Sequence, residues 1–397
     1  MSNNLSIKGK GIAPSITLEI NAKAKSMRDS GLDVLDFGVG EPDFITPENI
    51  RNEAIEAINK GLTKYTPASG ILELKKAICK KFKNDNNLLY NPSNIIVSNG
   101  AKHSIYNALM AIINPGDEVI IGVPYWVSYP ELVRLTDGVP IYIYTREENN
   151  FKFSVDDLER VKTKKTKAII LNSPNNPTGA VYNEEELKGI ADWAINNNVF
   201  VISDEIYEKL IYDDAKHISI ASFNDNIKKI SIIINGMSKA YAMTGWRIGY
   251  TAADDEIIKV MSNIQSHTTS NPNSISQYAS VEALEGNQDS IEYMRKHFEH
   301  RRNTLYNGIN EIGGLSCKLP EGSFYIMVNF SDLAGKTFQG MKINNSVDFA
   351  NLLLEYANVA VVPGEAFGID RYVRFSYATS IENIEKGIKR IKTTIEG

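Results

Sequence analysis

From residue 95 onward, short runs of β-branched and aliphatic residues alternate with longer stretches in which apolar positions recur every three to four residues. The short runs are Asn94–Ser98, Glu118–Val123, Lys167–Asn172, Val199–Ser203 and Lys229–Ile234, with amphipathic stretches such as Ala101–Ile113 and Asn183–Asn196 between them. The period identifies the element, because a helix returns to one face every 3.6 residues and a strand every two. These strand candidates are apolar on nearly every position. A strand with two apolar faces needs cover on both, so the pattern predicts an α/β fold with a mostly parallel central sheet flanked by helices.

After Gly286 the rhythm changes. Asp289 to Gly313 reads as one long charged helix, strands are predicted around Phe324–Asn329 and Ala360–Val362, and Ile381–Ile395 reads as a final helix. This predicts a smaller α+β domain over residues 291–397, a large domain over 46–290, and a segment 1–45 that lacks the alternation and joins the small domain. A length of 397 residues agrees, since single cores tend to split beyond about 250–300 residues.

Composition narrows the function classes. Apolar residues at 43% and charged residues at 23% describe a globular protein rather than a disordered one. A net charge of -5 without a dense basic stripe speaks against a nucleic-acid partner. The most basic stretch, Lys162, Lys164, Lys165 and Lys167, reads as a solvated loop ahead of the apolar run Ala168–Leu171. Cys79 and Cys317 are too few for a disulfide framework and sit in no metal-ligand spacing, so no metal is expected. Met1 to Lys10 has no signal-peptide core, and no apolar run approaches the roughly 18 residues of a membrane span. A cytoplasmic protein without membrane contact is the expectation.

In open parallel sheets, ligands bind beyond the carboxyl ends of the strands. Those ends read Ser98-Asn-Gly-Ala-Lys102, Pro124-Tyr-Trp126, Asn175-Asn-Pro-Thr-Gly179, Asp204-Glu-Ile-Tyr207 and Gly236-Met-Ser-Lys239. Asp204 closes an apolar run, where a carboxylate calls for a cation such as a protonated pyridine nitrogen; taken alone, it also reads as a helix N-cap. Lys239, drawn into a pocket, would have its pKa lowered enough to form an imine with an aldehyde; taken alone, it is a solvated charge. Arg247 and Ser238 offer a guanidinium fork and a hydroxyl to a phosphate, and Gly100 and Ala101 offer backbone N–H groups at a helix start. Trp126 at a strand end suits stacking on a planar cofactor, against a core role. Arg374, in the strand-like run Tyr372–Tyr377, suggests an anion met by both guanidinium nitrogens, against an edge-strand charge.

The strings Ser173-Pro-Asn-Asn-Pro-Thr-Gly179, Ser203-Asp-Glu-Ile-Tyr207, Asn235-Gly-Met-Ser-Lys-Ala-Tyr-Ala-Met-Thr-Gly-Trp-Arg-Ile-Gly-Tyr250 and Val373-Arg-Phe-Ser-Tyr-Ala378 resemble the class I pyridoxal-phosphate-dependent aminotransferases. Within that family the chain is most similar to the bacterial aspartate, or aspartate/prephenate, branch, from about Pro14 to the C-terminus. The resemblance implies pyridoxal 5'-phosphate as cofactor and a ping-pong exchange of an amino group between L-aspartate, or another amino acid, and 2-oxoglutarate. Prephenate or aromatic aminotransfer is the alternative, and β-elimination a more distant one.

Position by position, the resemblance implies that Lys239 is the Schiff-base lysine, that Asp204 pairs with the pyridine nitrogen, and that Tyr207 and Asn176 bond the phenolic oxygen. It implies stacking by Trp126, and places Gly100, Ala101, Lys102, Ser238 and Arg247 around the phosphate end. Tyr65 matches a tyrosine that reaches the phosphate of the neighbouring subunit, which implies a homodimer with shared sites. Gly40, in Gly38-Val-Gly-Glu-Pro-Asp43, and Arg374 match the groups that hold the substrate α-carboxylate. Lys102 and Thr17 match substrate-side residues, Lys102 meeting a distal carboxylate.

Overall fold

The computed structural model describes residues 5–12 and 16–397. Seven strands build the central sheet: β1 (Ile95–Ser98), β2 (Glu118–Val123), β3 (Val139–Tyr144), β4 (Thr166–Asn172), β5 (Phe200–Asp204), β6 (Ser231–Gly236) and β7 (Gly249–Ala252). Their order is β1-β7-β6-β5-β4-β2-β3. The pairs β2/β3, β2/β4, β4/β5 and β5/β6 are parallel, and β7 alone runs against its neighbours β1 and β6.

All five strands anticipated from the apolar runs are present, and two more join them. β3 lies at the sheet edge with Val139 and Tyr144 exposed, so its apolar signal is diluted. β7 is four residues long and opens on Gly249, which gives a run too short to stand out.

The alternation of side chains along the inner strands divides the interior in two. Ile169, Leu171, Val201 and Ile233 face one layer of helices, where they pack with Leu187, Ile190 and Trp193 of helix Glu184–Asn197. Ala168, Ile170, Ile202, Ile232 and Ile234 face the other layer, with Ile105, Leu109 and Met261 of helices Ala101–Ile112 and Asp255–Thr268. Burying each of the large aliphatic side chains contributes about 1.5–3 kcal/mol, so neither face of the sheet tolerates exposure. Helix Glu184–Asn197 starts where Asn183 accepts the Glu186 N–H while the Glu186 side chain returns to the Asn183 N–H, a reciprocal cap.

A second sheet follows, with β8 (Ser316–Cys317), β9 (Tyr325–Asn329), β10 (Val362–Pro363) and β11 (Tyr372–Ser376) in the antiparallel order β10-β11-β9-β8. Helices Asp289–Asn310, Ser346–Tyr356 and Ile381–Glu396 pack on it around Phe298, Phe349, Phe375, Ile384 and Ile391. The run around Ala360–Val362 divides into two short strands, the first of which, Val359–Ala360, pairs in parallel with Leu35–Asp36. Helix Ile16–Asp29 reaches the same region through the ion pair of Lys23 with Glu355. Ile206, Tyr207 and Leu210, from the loop after β5, are buried in this third core. The carboxyl ends of the central strands therefore face the seam between the two sheets. Among the described residues, no helix is long and apolar enough to cross a membrane.

Candidate active site

Beyond β2, β4, β5 and β6 opens a cleft of about 720 Å³, lined among others by Lys102, Trp126, Asn176, Asp204, Lys239 and Arg374. Asp204 is the last residue of β5 and only 4% exposed. The Tyr129 hydroxyl donates to its Oδ2 at 2.7 Å and the Ile206 N–H to its Oδ1 at 3.3 Å. No helix follows Asp204, so it caps none. It forms no ion pair among the described residues, and burial pushes its carboxyl up to about 6 against the pull of those two hydrogen bonds. A buried acid held only by neutral donors is prepared for a cation from outside the chain.

Lys239 stands three residues beyond β6, partly buried, and its Nζ donates to the Gly40 carbonyl at 2.5 Å. Burial and the nearby Arg374 guanidinium lower its pKa to about 8, which leaves a substantial neutral fraction near physiological pH. A neutral amine is a nucleophile and a base.

Arg374, on β11, is 4% exposed and meets no carboxylate among the described residues. Its Nη1 donates to Asn176 Oδ1 at 3.0 Å, its Nη2 to the Gly38 carbonyl at 2.7 Å, and its Nε has no partner among the described residues. The guanidinium lies 4.3 Å from the centre of the Tyr325 ring. A buried cation compensated only by dipoles and π-faces is an anion site.

At the other end of the cleft, Gly100 caps helix Ala101–Ile112 with a φ of 85°. The Arg247 guanidinium lies so close that a Cβ on Gly100 would stand 2.3 Å from Nη2. Arg247 is itself left-handed at φ 58°, and it donates to the Thr244 carbonyl at 2.8 Å. The unpaired first N–H groups of the helix, Arg247 and Ser238 together can hold a second anion. Lys102 projects its Nζ over the Trp126 ring at 5.0 Å. Gly40 sits where a Cβ would meet the Tyr325 hydroxyl at 2.8 Å, and the Tyr207 hydroxyl lies 3.1 Å from that of Tyr325. Thus Gly40, Ala101, Lys102, Trp126, Asn176, Asp204, Tyr207, Ser238, Lys239, Arg247 and Arg374 all line one cleft, with Gly100 directly behind. Tyr65 is outside it and 91% exposed. The side chain of Thr17 lies outside the described residues.

The model of the family "Aminotransferase class I and II" matches residues 32–391. The chain is 51% identical to an aspartate aminotransferase of Bacillus sp. strain YM-2, over 98% of this chain and 99% of that one. The chain belongs to the class I and II aminotransferases. It is also 46% identical, over the full length of both chains, to a probable aspartate/prephenate aminotransferase of Aquifex aeolicus. The crystal structure of the aspartate aminotransferase from Rhizobium meliloti superposes with a TM-score of 0.96 at 41% identity, covering 99% of each chain.

Three residues of this aminotransferase site escaped the sequence reading. Tyr129 is the hydroxyl donor to Asp204, and its only signal was its place three residues after Trp126. Asn172 braces the loop above β4: its Nδ2 donates to the Asp204 and Pro174 carbonyls and its Oδ1 accepts the Asn176 N–H at 2.9 Å. Tyr325 enters from β9 and touches both Tyr207 and Arg374, a meeting of segments 118 residues apart in the chain that no local pattern announces.

Behind Asp204, Glu205, Glu208 and His217 lie close enough to resemble a metal-ligand set. Lys81 already supplies the cation there, in an ion pair with Glu208, while Ser203 and Ser219 donate to Glu205.

Proposed function

We propose that this aminotransferase binds pyridoxal 5'-phosphate through Lys239 and exchanges amino groups between aspartate or glutamate and their 2-oxo acids by a ping-pong mechanism. The observation that carries the reading is the convergence of a lysine lowered to about 8, a buried acid without a cation and a buried guanidinium without an anion on one cleft. Each lacks the partner that this cofactor and an α-amino acid would bring. The residues fit the cofactor at both ends: Gly100, Ala101, Ser238 and Arg247 suit its phosphate, and Asp204 suits its ring nitrogen.

When bound, pyridoxal phosphate supplies an aldehyde that condenses reversibly with amines and a cationic ring that accepts the electrons released at Cα. Asp204 would keep its ring nitrogen protonated. Arg374, aligned by Asn176 and the Gly38 carbonyl, takes the substrate α-carboxylate with both of its Nη donors, with Gly40 alongside. Lys239 Nζ, as a free amine, would take the proton from the substrate Cα and hold it within the cleft. Tyr207 and Asn176 would bond the phenolic oxygen of the cofactor, and Trp126 would cover its ring face.

The distal carboxylate of a dicarboxylic substrate is assigned to Lys102, whose ammonium overhangs Trp126 at the mouth of the cleft. The name of the Bacillus relative supports aspartate, and that of the Aquifex relative supports prephenate as a second acceptor. Tyr65 faces solvent, which supports a homodimer in which it completes the partner's phosphate site. Residues 1–45 and 291–397, carrying Gly40 and Arg374, form the smaller unit, which closes on 46–290 and excludes water. Identical small-angle scattering with and without a dicarboxylate inhibitor would count against that closure.

The test is a panel of amino donors with 2-oxoglutarate, beside oxaloacetate and prephenate as acceptors for glutamate, on wild type and Lys102→Ala. Aspartate and glutamate should lead, and Lys102→Ala should lose dicarboxylates selectively. Activity confined to aromatic or branched donors, with Lys102→Ala unaffected, would overturn the assignment.

A further inference from the structure

Among the described residues Asp204 has a single side-chain partner, and it is a neutral one. Tyr129 is 2% exposed, its hydroxyl lies 2.7 Å from Asp204 Oδ2, and its ring edge packs on Trp126 at 5.3 Å between centroids and 82° between planes. Its backbone N–H also donates to the Trp126 carbonyl at 2.9 Å. One residue is therefore tied to both the acid and the tryptophan of the cleft.

Resting on the cofactor reading above, we propose that Tyr129 is a positioning residue that holds the Asp204 carboxylate ionised and aimed at the ring nitrogen, and sets the plane of Trp126 in register with it. The chemistry of the donor matters. A lysine or arginine in its place would neutralise Asp204 and remove the attraction for a ring proton. A side chain without a donor would leave Oδ2 buried and unsatisfied, so that Asp204 would keep a proton itself. A phenol donates one hydrogen bond without bringing charge, and the remaining lone pairs of the carboxylate stay available to the ring. Burial and the facing Asp204 carboxylate hold the Tyr129 hydroxyl well above its ordinary pKa, so it remains a donor. The other groups that face Asp204 are Glu205 beside it in the chain, the Lys239 ammonium across the cleft and the Tyr207 hydroxyl. None of them replaces the missing donor, since no hydrogen bond joins their side chains to Asp204.

Tyr129→Phe tests this, because it keeps the ring against Trp126 and removes only the hydroxyl. In the apoprotein, carboxyl NMR should find Asp204 protonating at a higher pH than in wild type. A hydrogen bond to a charged group is worth about a tenfold change or more, so the cofactor Kd should rise and kcat should fall by about that factor, with the amino-acid KM little changed. In an Asp204→Asn background the same substitution should have no further effect on kcat. A Tyr129→Phe enzyme in which Asp204 titrates as in wild type, with kcat unchanged, overturns the proposal, as does an undiminished effect in the Asp204→Asn background. Should Tyr129→Phe fail to fold, Tyr129→Gln, which retains a neutral donor, must leave Asp204 titrating near the wild-type pH. Failure of wild type to take up pyridoxal phosphate would instead defeat the cofactor reading, and the apoprotein titration would still report on the Tyr129–Asp204 pair.

Discussion

The Arg374 guanidinium is held by Asn176 at 3.0 Å, a partner that aligns it without consuming its charge. An aspartate in place of Asn176 would close the anion site that a neutral amide leaves open. The backbone N–H of Asn176 donates in turn to Asn172 Oδ1, so the residue that aligns Arg374 is anchored to the end of β4.

Arg374→Lys should therefore damage substrate binding far more than folding. A single ammonium cannot reproduce the two-pronged contact, and truncating one partner of a buried, hydrogen-bonded charge pair costs on the order of 2–5 kcal/mol. Steady-state kinetics should show kcat/KM for amino acids reduced by roughly a hundredfold or more. Amines that lack the α-carboxylate should react as with wild type.

Asp204 should burden the protein when no cofactor is present. Its carboxyl is raised from 3.8 to about 6, so the folded state retains a proton between those values that the unfolded state has lost. The resulting destabilisation is complete above about 6 and vanishes below 3.8. Asp204→Asn should accordingly melt at a higher temperature than wild-type apoprotein at pH 8, with the gap narrowing as the pH falls to 5. Saturating cofactor should reverse the order.

Gly100→Ala should weaken the phosphate end without unfolding the chain. The residue sits at φ 85° and ψ 160°, a conformation nearly confined to glycine where an L side chain is strained by about 1–3 kcal/mol, and its methyl would displace the Arg247 guanidinium. Spectral titration should give a cofactor Kd raised by about tenfold or more, while the apoprotein melts within a few degrees of wild type.

Lys81→Met should destabilise the fold. Lys81 and Glu208 are an ion pair with both side chains 6% exposed, and removing one partner of such a pair costs about 3–5 kcal/mol. Burial alone would raise the Glu208 carboxyl, but Lys81 and His217 bring it down to about 2. The stability it provides is complete above about 4.5 and is lost as the pH falls from there towards 2, so wild type should keep most of it at pH 4. Urea midpoints at pH 7 and pH 4 should both favour wild type over the variant.

The linear sequence carried what depends on neighbours along the chain. Apolar runs such as Val199–Ser203 announced strands buried on both faces, and the polar residues that end them, Asp204, Lys239 and Asn176, fell together because parallel strands deliver their carboxyl ends to one edge. What depended on distant segments had no such trace. Tyr129 meets Asp204 across 75 residues, between the helix that follows β2 and the end of β5, and Arg374 meets Gly38 across 336, between β11 and the segment after Leu35–Asp36. Edge strand β3 was equally silent, because partial exposure relaxes the apolar requirement that marks a buried strand. Local periodicity decides which strand ends border the cleft. Only the folded arrangement decides which charges are left there without a partner, since pairing is a matter of distance in space.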